Sequence, residues 1–137
     1  MTSVAANFRI AGGSDYCTSK HTLLRLAEFV TIGECELTFA ECNSVDRFLA
    51  ENPSIRTYCI HPGIIPTELF IDTQAFVPVH DTLGLAAATI LYLTSGKADF
   101  LSGRYVAATW DQGEVERDWK EKIVAGDLLK TKLSVPQ

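Results

Sequence analysis

The sequence predicts an α/β fold built on a parallel sheet, and three observations predict it. Runs rich in β-branched and aromatic residues, "SIRTYCIHPG" and "SGRYVAATWD", alternate with helical patterns in "SDYCTSKHTLLRLAEFV" and "DTLGLAAATILYLTSG". Turn signals close the segments, Pro62-Gly63 after the first strand run and Gly96 after the second helical one. The chain has 137 residues, 47% hydrophobic and 21% charged, a balance that calls for one packed domain over residues 1–137 rather than disorder.

The elements follow in order. "MTS" reads as the end of a strand. "RIAGGSDY" is a turn running into a helix start: Gly12 and Gly13 allow unusual backbone angles, and Ser14 or Asp15 can cap the helix. Leu23, Leu26, Ala27 and Val30 then form an apolar stripe at helical spacing, widened by Leu24. Residues 31–44 have weak periodicity and read as an atypical insertion. Residues 45–51 look helical and stop at "ENP". Ile55, Thr57, Tyr58, Cys59 and Ile60 are strand formers. Residues 64–80 have no clean period and read as a long loop with a short helix near Glu68. The next helix is capped by Asp81 and closed near Gly96. A second strand follows in "SGRYVAATWD". The tail holds one or two charged surface helices with Trp119 and Ile123 turned inward. In open parallel sheets ligands bind at the carboxyl ends of the strands, which places "HPG" and the end of "MTS" on the same rim.

Composition excludes several classes of function. The net charge is -5 with interspersed signs, which argues against a nucleic-acid or acidic-membrane surface. No apolar run approaches the roughly 18 to 20 residues of a membrane span. "MTSVAANFRI" lacks the basic region and apolar core of a secretory signal. Cys17, Cys35, Cys42 and Cys59 form no CxxC pair and have no His at ligand spacing, so free thiols in a reducing cytoplasm are expected. His21, His61 and His80 do not cluster, and no metal site is expected.

Tyr16 and Lys20 stand one helical turn apart and share a face. Alone, the pair reads as a surface tyrosine beside a solvated lysine. Ser3 stands thirteen positions before Tyr16, and "HPGIIPT" and "SGRYVAATWD" follow. With these, the chain resembles the short-chain dehydrogenase/reductase family, especially its fungal members, over nearly all of its length apart from residues 31–44. The resemblance implies the C-terminal part of a Rossmann-like, doubly wound parallel sheet, about its fifth to seventh strands with flanking helices, with residues 1–3 as the tail of the fifth. It implies Ser3, Tyr16 and Lys20 as catalytic residues. Tyr16, Lys20, Pro62, Gly63, Ile65 and Thr67 would contact the nicotinamide end of NAD or NADP.

The chemistry accounts for the residue types. Hydride arriving at a carbonyl carbon leaves negative charge on oxygen, and a phenol placed there can donate a proton or, in reverse, accept one. A free phenol titrates near 10, and a neighbouring ammonium favours the phenolate. That is the role the resemblance gives Lys20, together with the nicotinamide ribose. Ser3 would orient the substrate oxygen by hydrogen bonding. As bland alternatives, Ser3 is a turn serine, Thr67 a helix N-cap ahead of Glu68, His61 a satisfied structural histidine, and Trp110 and Trp119 packing anchors. Residues 64–79 align with the family's substrate lid, and Leu69, Phe70 and Phe76 would favour an apolar or aromatic carbonyl or alcohol.

The departures from the family are large. Complete members are about twice as long and open with a glycine-rich phosphate loop, whereas no GxxxGxG or GxGxxG occurs here. The N-terminal half of the family pattern, with its Asn-Asn-Ala-Gly strand, is missing. A truncated domain with a bare sheet edge and an uncovered helix face is expected to self-associate. Residues 31–44 interrupt what is one helix in the family and read equally as translated intron or natural insertion. Two functions compete. One is an NAD(P)-dependent oxidoreductase interconverting a carbonyl and an alcohol, with Tyr16 as acid and base. The other is a truncated, cofactor-independent protein, either a partner-binding pseudoenzyme or an isomerase or cyclase that uses Tyr16 and Lys20 for proton transfer.

Overall fold

The computed structural model describes residues 1–9, 11–31, 55–68 and 81–134. The expected insertion beyond Thr31, the helix at 45–51, Cys35, Cys42, His80 and the lid residues Leu69, Phe70 and Phe76 lie outside the described residues. Of the segment expected to hold a short helix near Glu68, residues 64–68 fall inside them.

Two parallel strands, β1 (Tyr58–His61) and β2 (Arg104–Ala107), pair in the register Cys59↔Tyr105 and Ile60↔Val106. Helix α1 (Ser14–Thr31) precedes β1, and helix α2 (Leu83–Thr94) connects β1 to β2. A parallel pair flanked by helices is consistent with part of a Rossmann-like α/β fold. Both strands are shorter than the sequence runs suggest. Ile55 and Arg56 are exposed, and Ala108 to Trp110 turn away to start the tail. The expected third strand is reduced to one ladder bond: the Thr2 N–H donates to the Ile60 carbonyl at 2.9 Å. Residues 4–7 then wind into a 3-10 turn, Val4–Asn7, that packs on α1.

Strand alternation sends side chains to two unlike cores. On one face Ile60 and Val106 join Leu93 of α2, Ala98, Leu101, Val115 and Ile123. Trp110 and Trp119 pack against this cluster edge to face, 5.6 Å apart, as the expected anchors. Helix α3 (Gln112–Glu114), a π-helical turn (Val115–Trp119) and helix α4 (Lys120–Ala125) run on without a break and carry Val115 and Ile123 into that core. On the other face Cys59 meets Ala6, Leu24 and Ala27, with Tyr105 against them. This second core is small, and hydrogen bonds supplement it.

The start of α2 differs from expectation. Thr82, not Asp81, is the N-cap, its Oγ1 accepting from the Leu85 N–H. Asp81 is engaged elsewhere: its Oδ2 accepts from the Ile64 N–H at 2.7 Å, closing the base of the connection that begins at Pro62. Beyond α4, the left-handed residues Asp127 and Leu129 bend the tail back along β2. There the Leu129 carbonyl accepts from the Tyr105 N–H at 2.9 Å. Buried Arg104 holds the bend, donating to the Phe100 and Leu128 carbonyls and pairing with Asp127 at 3.0 Å. Lys130, aided by Arg104, keeps the Asp127 carboxyl below its ordinary range.

Candidate functional site

Helix α1 sits on the sheet through its own carbonyls. The Thr2 hydroxyl donates to the Lys20 carbonyl at 2.9 Å, the Cys59 thiol to Leu23 at 3.1 Å and the Thr57 hydroxyl to Ala27 at 2.9 Å. Residues 20, 23 and 27 are spaced three and four apart, so the bonds run in one line down the helix. At the far end Thr31 shares a hydrogen bond with Thr57. Its hydroxyl would lie 2.6 Å from a Cβ at position 103, where the chain uses a glycine at φ +72°. These contacts fix where α1 stands along the sheet, and with it the first two turns, which carry Tyr16 and Lys20.

Thr2 joins the segments that hold the candidate site. It is 3% exposed; its amide is tied to β1 at Ile60, its hydroxyl to α1 at Lys20, and Ser3 follows it in the chain. Pro62 and Gly63 follow Ile60 at the carboxyl end of β1. One buried threonine therefore joins the Ser3 segment, the Lys20 carbonyl and the β1 residue two positions before Pro62. Sequence reasoning passed over Thr2; an uncharged hydroxyl next to the candidate serine, in a segment expected to be buried strand, was the available signal.

The individual residues stand as follows. Tyr16 is 39% exposed and Lys20 half-buried, with Lys20 Nζ 5.5 Å from the centre of the phenol ring. The ammonium is thus within cation–π range of the ring. Ser3 is the N-cap of the 3-10 turn, its Oγ accepting from the Ala5 N–H at 3.2 Å. No acceptor for the Ser3 hydroxyl hydrogen occurs among the described residues. No hydrogen bond joins Ser3 to Tyr16 among those residues. Pro62, Gly63 and Ile65 are half-buried, and Thr67 is exposed.

The loop is built tightly. Gly63 has φ +96°, and a Cβ there would lie 2.6 Å from Asp81 Oδ2, so both the backbone angle and the contact require glycine. Asp81 occupies the Ile64 N–H, whereas the Ile65 N–H has no acceptor among the described residues. His61 is not the satisfied histidine expected: its Nδ1 is buried without a hydrogen-bond partner among the described residues. Burial lowers its pKa, opposed by the nearby Asp81 carboxylate. The described residues contain no cluster able to hold a metal ion, and none of their helices is long and apolar enough to cross a membrane.

Comparison with known proteins adds lineage to this geometry. The chain is 35% identical to the short chain dehydrogenase mpl6 of Monascus purpureus, with 97% of the chain aligned. It is 35% identical to the short chain dehydrogenase pigC of Monascus ruber over 96% of the chain. The chain is related to fungal short-chain dehydrogenases. The short chain dehydrogenase tazN of Aspergillus terreus matches at 31% identity. This short-chain dehydrogenase relative spans 40% of the length of mpl6 and pigC and 26% of tazN. No family model and no solved structure matches it.

Proposed function

We propose that the chain carries the acid–base part of an NAD(P)-linked short-chain oxidoreductase that interconverts a carbonyl and an alcohol. The observation that supports this reading is that Thr2 joins the Ser3 segment and the Lys20 carbonyl to the end of β1, immediately ahead of the 62–67 loop, in a parallel sheet. In the reducing direction Tyr16 donates its phenolic proton to the substrate oxygen. In the oxidising direction the phenolate takes the proton back. Lys20 stabilises that phenolate and holds the ribose, and the Ser3 hydroxyl donates to the substrate oxygen. Pro62, Gly63, Ile65 and Thr67 line the nicotinamide end, where the bound cofactor supplies or accepts the hydride. The substrate is a small carbonyl or alcohol compound of apolar or aromatic character, on the composition of the 64–79 segment. Apolar outer faces on α1 and α2 support self-association as a further part of the proposal.

One sequence fact favours a second reading for the chain by itself. No GxxxGxG or GxGxxG occurs in these 137 residues, so no stretch of them matches the family's pyrophosphate-binding loop. Tyr16 and Lys20 would then perform proton transfer without hydride transfer. Calorimetry with NADH and NADPH, followed by turnover of simple ketones, separates the two. Micromolar cofactor binding with ketone reduction that Tyr16→Phe abolishes establishes the oxidoreductase. Absence of binding, with a Tyr16-dependent isomerisation, establishes the alternative. Ketone reduction that survives Tyr16→Phe overturns the assignment of Tyr16.

A further inference from the structure

We propose that Thr2 is a positioning residue of this site: it sets the axial register of α1 and so the placement of Lys20 and Tyr16. The inference rests on the oxidoreductase reading for its kinetic consequence but not for its geometry. Three sheet-side donors engage α1, and Thr2 is the one whose acceptor belongs to a candidate site residue. Its two bonds run at right roles: the amide fixes it to β1 at Ile60, and the hydroxyl reaches across to the Lys20 carbonyl, both at 2.9 Å. Because Ser3 is covalently next, any shift of Thr2 moves Ser3 and the Lys20 turn relative to Pro62 and Gly63. Nearby apolar packing is thin, supplied by Ala6, Leu24, Ala27 and Cys59. Such side chains resist separation of helix and sheet but not sliding, since apolar contact is non-directional. A hydrogen bond has a required distance and angle and does resist it.

The hydroxyl bond therefore acts on catalysis through geometry rather than through stability. Thr2→Val keeps the shape and removes the donor. Thr2→Ser keeps the donor and loses a methyl group. Thr89→Val is the control: Thr89 is a buried α2 threonine whose hydroxyl also donates to a helix carbonyl, Leu85, on the opposite side of the sheet. Two readouts are taken on the whole chain. The first is the NMR signal of Lys20 after 13C-dimethylation of lysines, with the other five lysines as internal references. The second, on unmodified protein, is ketone turnover with cofactor.

The expected result is that Thr2→Val moves the Lys20 signal alone and lowers kcat about tenfold or more with KM within about twofold, the scale set by a sub-ångström to 1 Å misplacement. Thr2→Ser restores both, and Thr89→Val changes neither. An unmoved Lys20 signal in Thr2→Val overturns the proposal, whether or not the chain turns over ketones. So does a kcat loss that Thr89→Val reproduces. If ketone reduction is absent or indifferent to Tyr16→Phe, the oxidoreductase reading fails by itself, and the Lys20 signal still decides the role of Thr2.

Discussion

The two faces of the sheet are held by different forces. The α2 face is dry: Leu93, Leu101, Val106, Val115 and Ile123 are fully or almost fully buried and make one continuous cluster. The α1 face has a core of two alanines, a leucine and a cysteine, and is fastened instead by Thr2, Thr57 and Cys59 to helix carbonyls. Apolar burial contributes most of the stability, at roughly 25 cal/mol per Å². A hydrogen bond adds only about 1 kcal/mol net but specifies position. The face that stabilises the fold and the face that places the candidate site are thus distinct. A site needing fixed geometry is built on the face where contacts have direction.

The largest effect expected from this division is on the α2 face. Leu101 is 0% exposed, and Leu101→Ala should cost about 3 kcal/mol in urea unfolding. Leu24, the leucine of the α1 core, is packed only among Ala6, Ala27, Cys59 and Tyr105, and Leu24→Ala should cost less, about 2 kcal/mol. Equal losses at the two positions would erase the contrast between faces.

Next comes the buried carboxylate of α1. Glu28 accepts from Arg25 at 2.6 Å and from the Thr131 N–H at 2.5 Å, pinning the tail to the helix. Glu28→Ala should cost about 1 to 2 kcal/mol, since it strands a partly buried amide. It should also expose the last residues to limited proteolysis before the rest of the chain. Uniform digestion would show that the tail is held from β2 alone.

A pH dependence sharpens the comparison further. His61 lies on the same side of β1 as Cys59 by strand alternation. Its pKa is lowered on folding, so the unfolded chain binds the extra proton first. Stability is full above the ordinary histidine value near 6.5 and declines as pH falls from there toward the lowered folded value. Urea midpoints measured between pH 7 and pH 5 should fall, and His61→Phe should flatten that slope. A slope unchanged in the variant would assign the dependence to other groups.

The smallest effect concerns the outer faces. Leu23 and Leu26 on α1, and Leu83 and Leu91 on α2, are exposed, Leu91 to 72%. The chain is expected to sediment as a dimer or larger at low micromolar concentration. Leu26→Ser and Leu91→Ser tell which helix associates: the one that raises the monomer fraction marks the contact. A monomer in the unaltered chain would refute the expectation.

Much of the scaffold was legible because it is periodic. The α1 and α2 patterns and the two strand runs appear in order, and β1 and β2 pair in parallel. What escaped is what depends on distant partners. Asp81 and Thr82 are equally good caps in sequence; Asp81 lost the role because the Ile64 amide, seventeen residues back, recruits its carboxylate. Val115 was not named as inward, although it stands four residues before Trp119 and eight before Ile123 and is buried in the same cluster as Ile123. In the candidate site, the Tyr16–Lys20 spacing could be read directly since it is local. Thr2 could not, because its two partners are 18 and 58 residues away.

The bend at Asp127 and Leu129 bears on how chains of this kind could stack. Sheets polymerise by adding a strand at each end, and open-ended growth needs a receptive edge on both sides of every molecule. Leu129 already occupies the Tyr105 amide on the outer side of β2. On the other side the Ile60 carbonyl of β1 is held by the Thr2 N–H, so each strand of the pair has an outward backbone group already engaged within the molecule. An incoming strand would have to displace one of these bonds, and the C-terminal bend thereby disfavours edge-to-edge growth at β2.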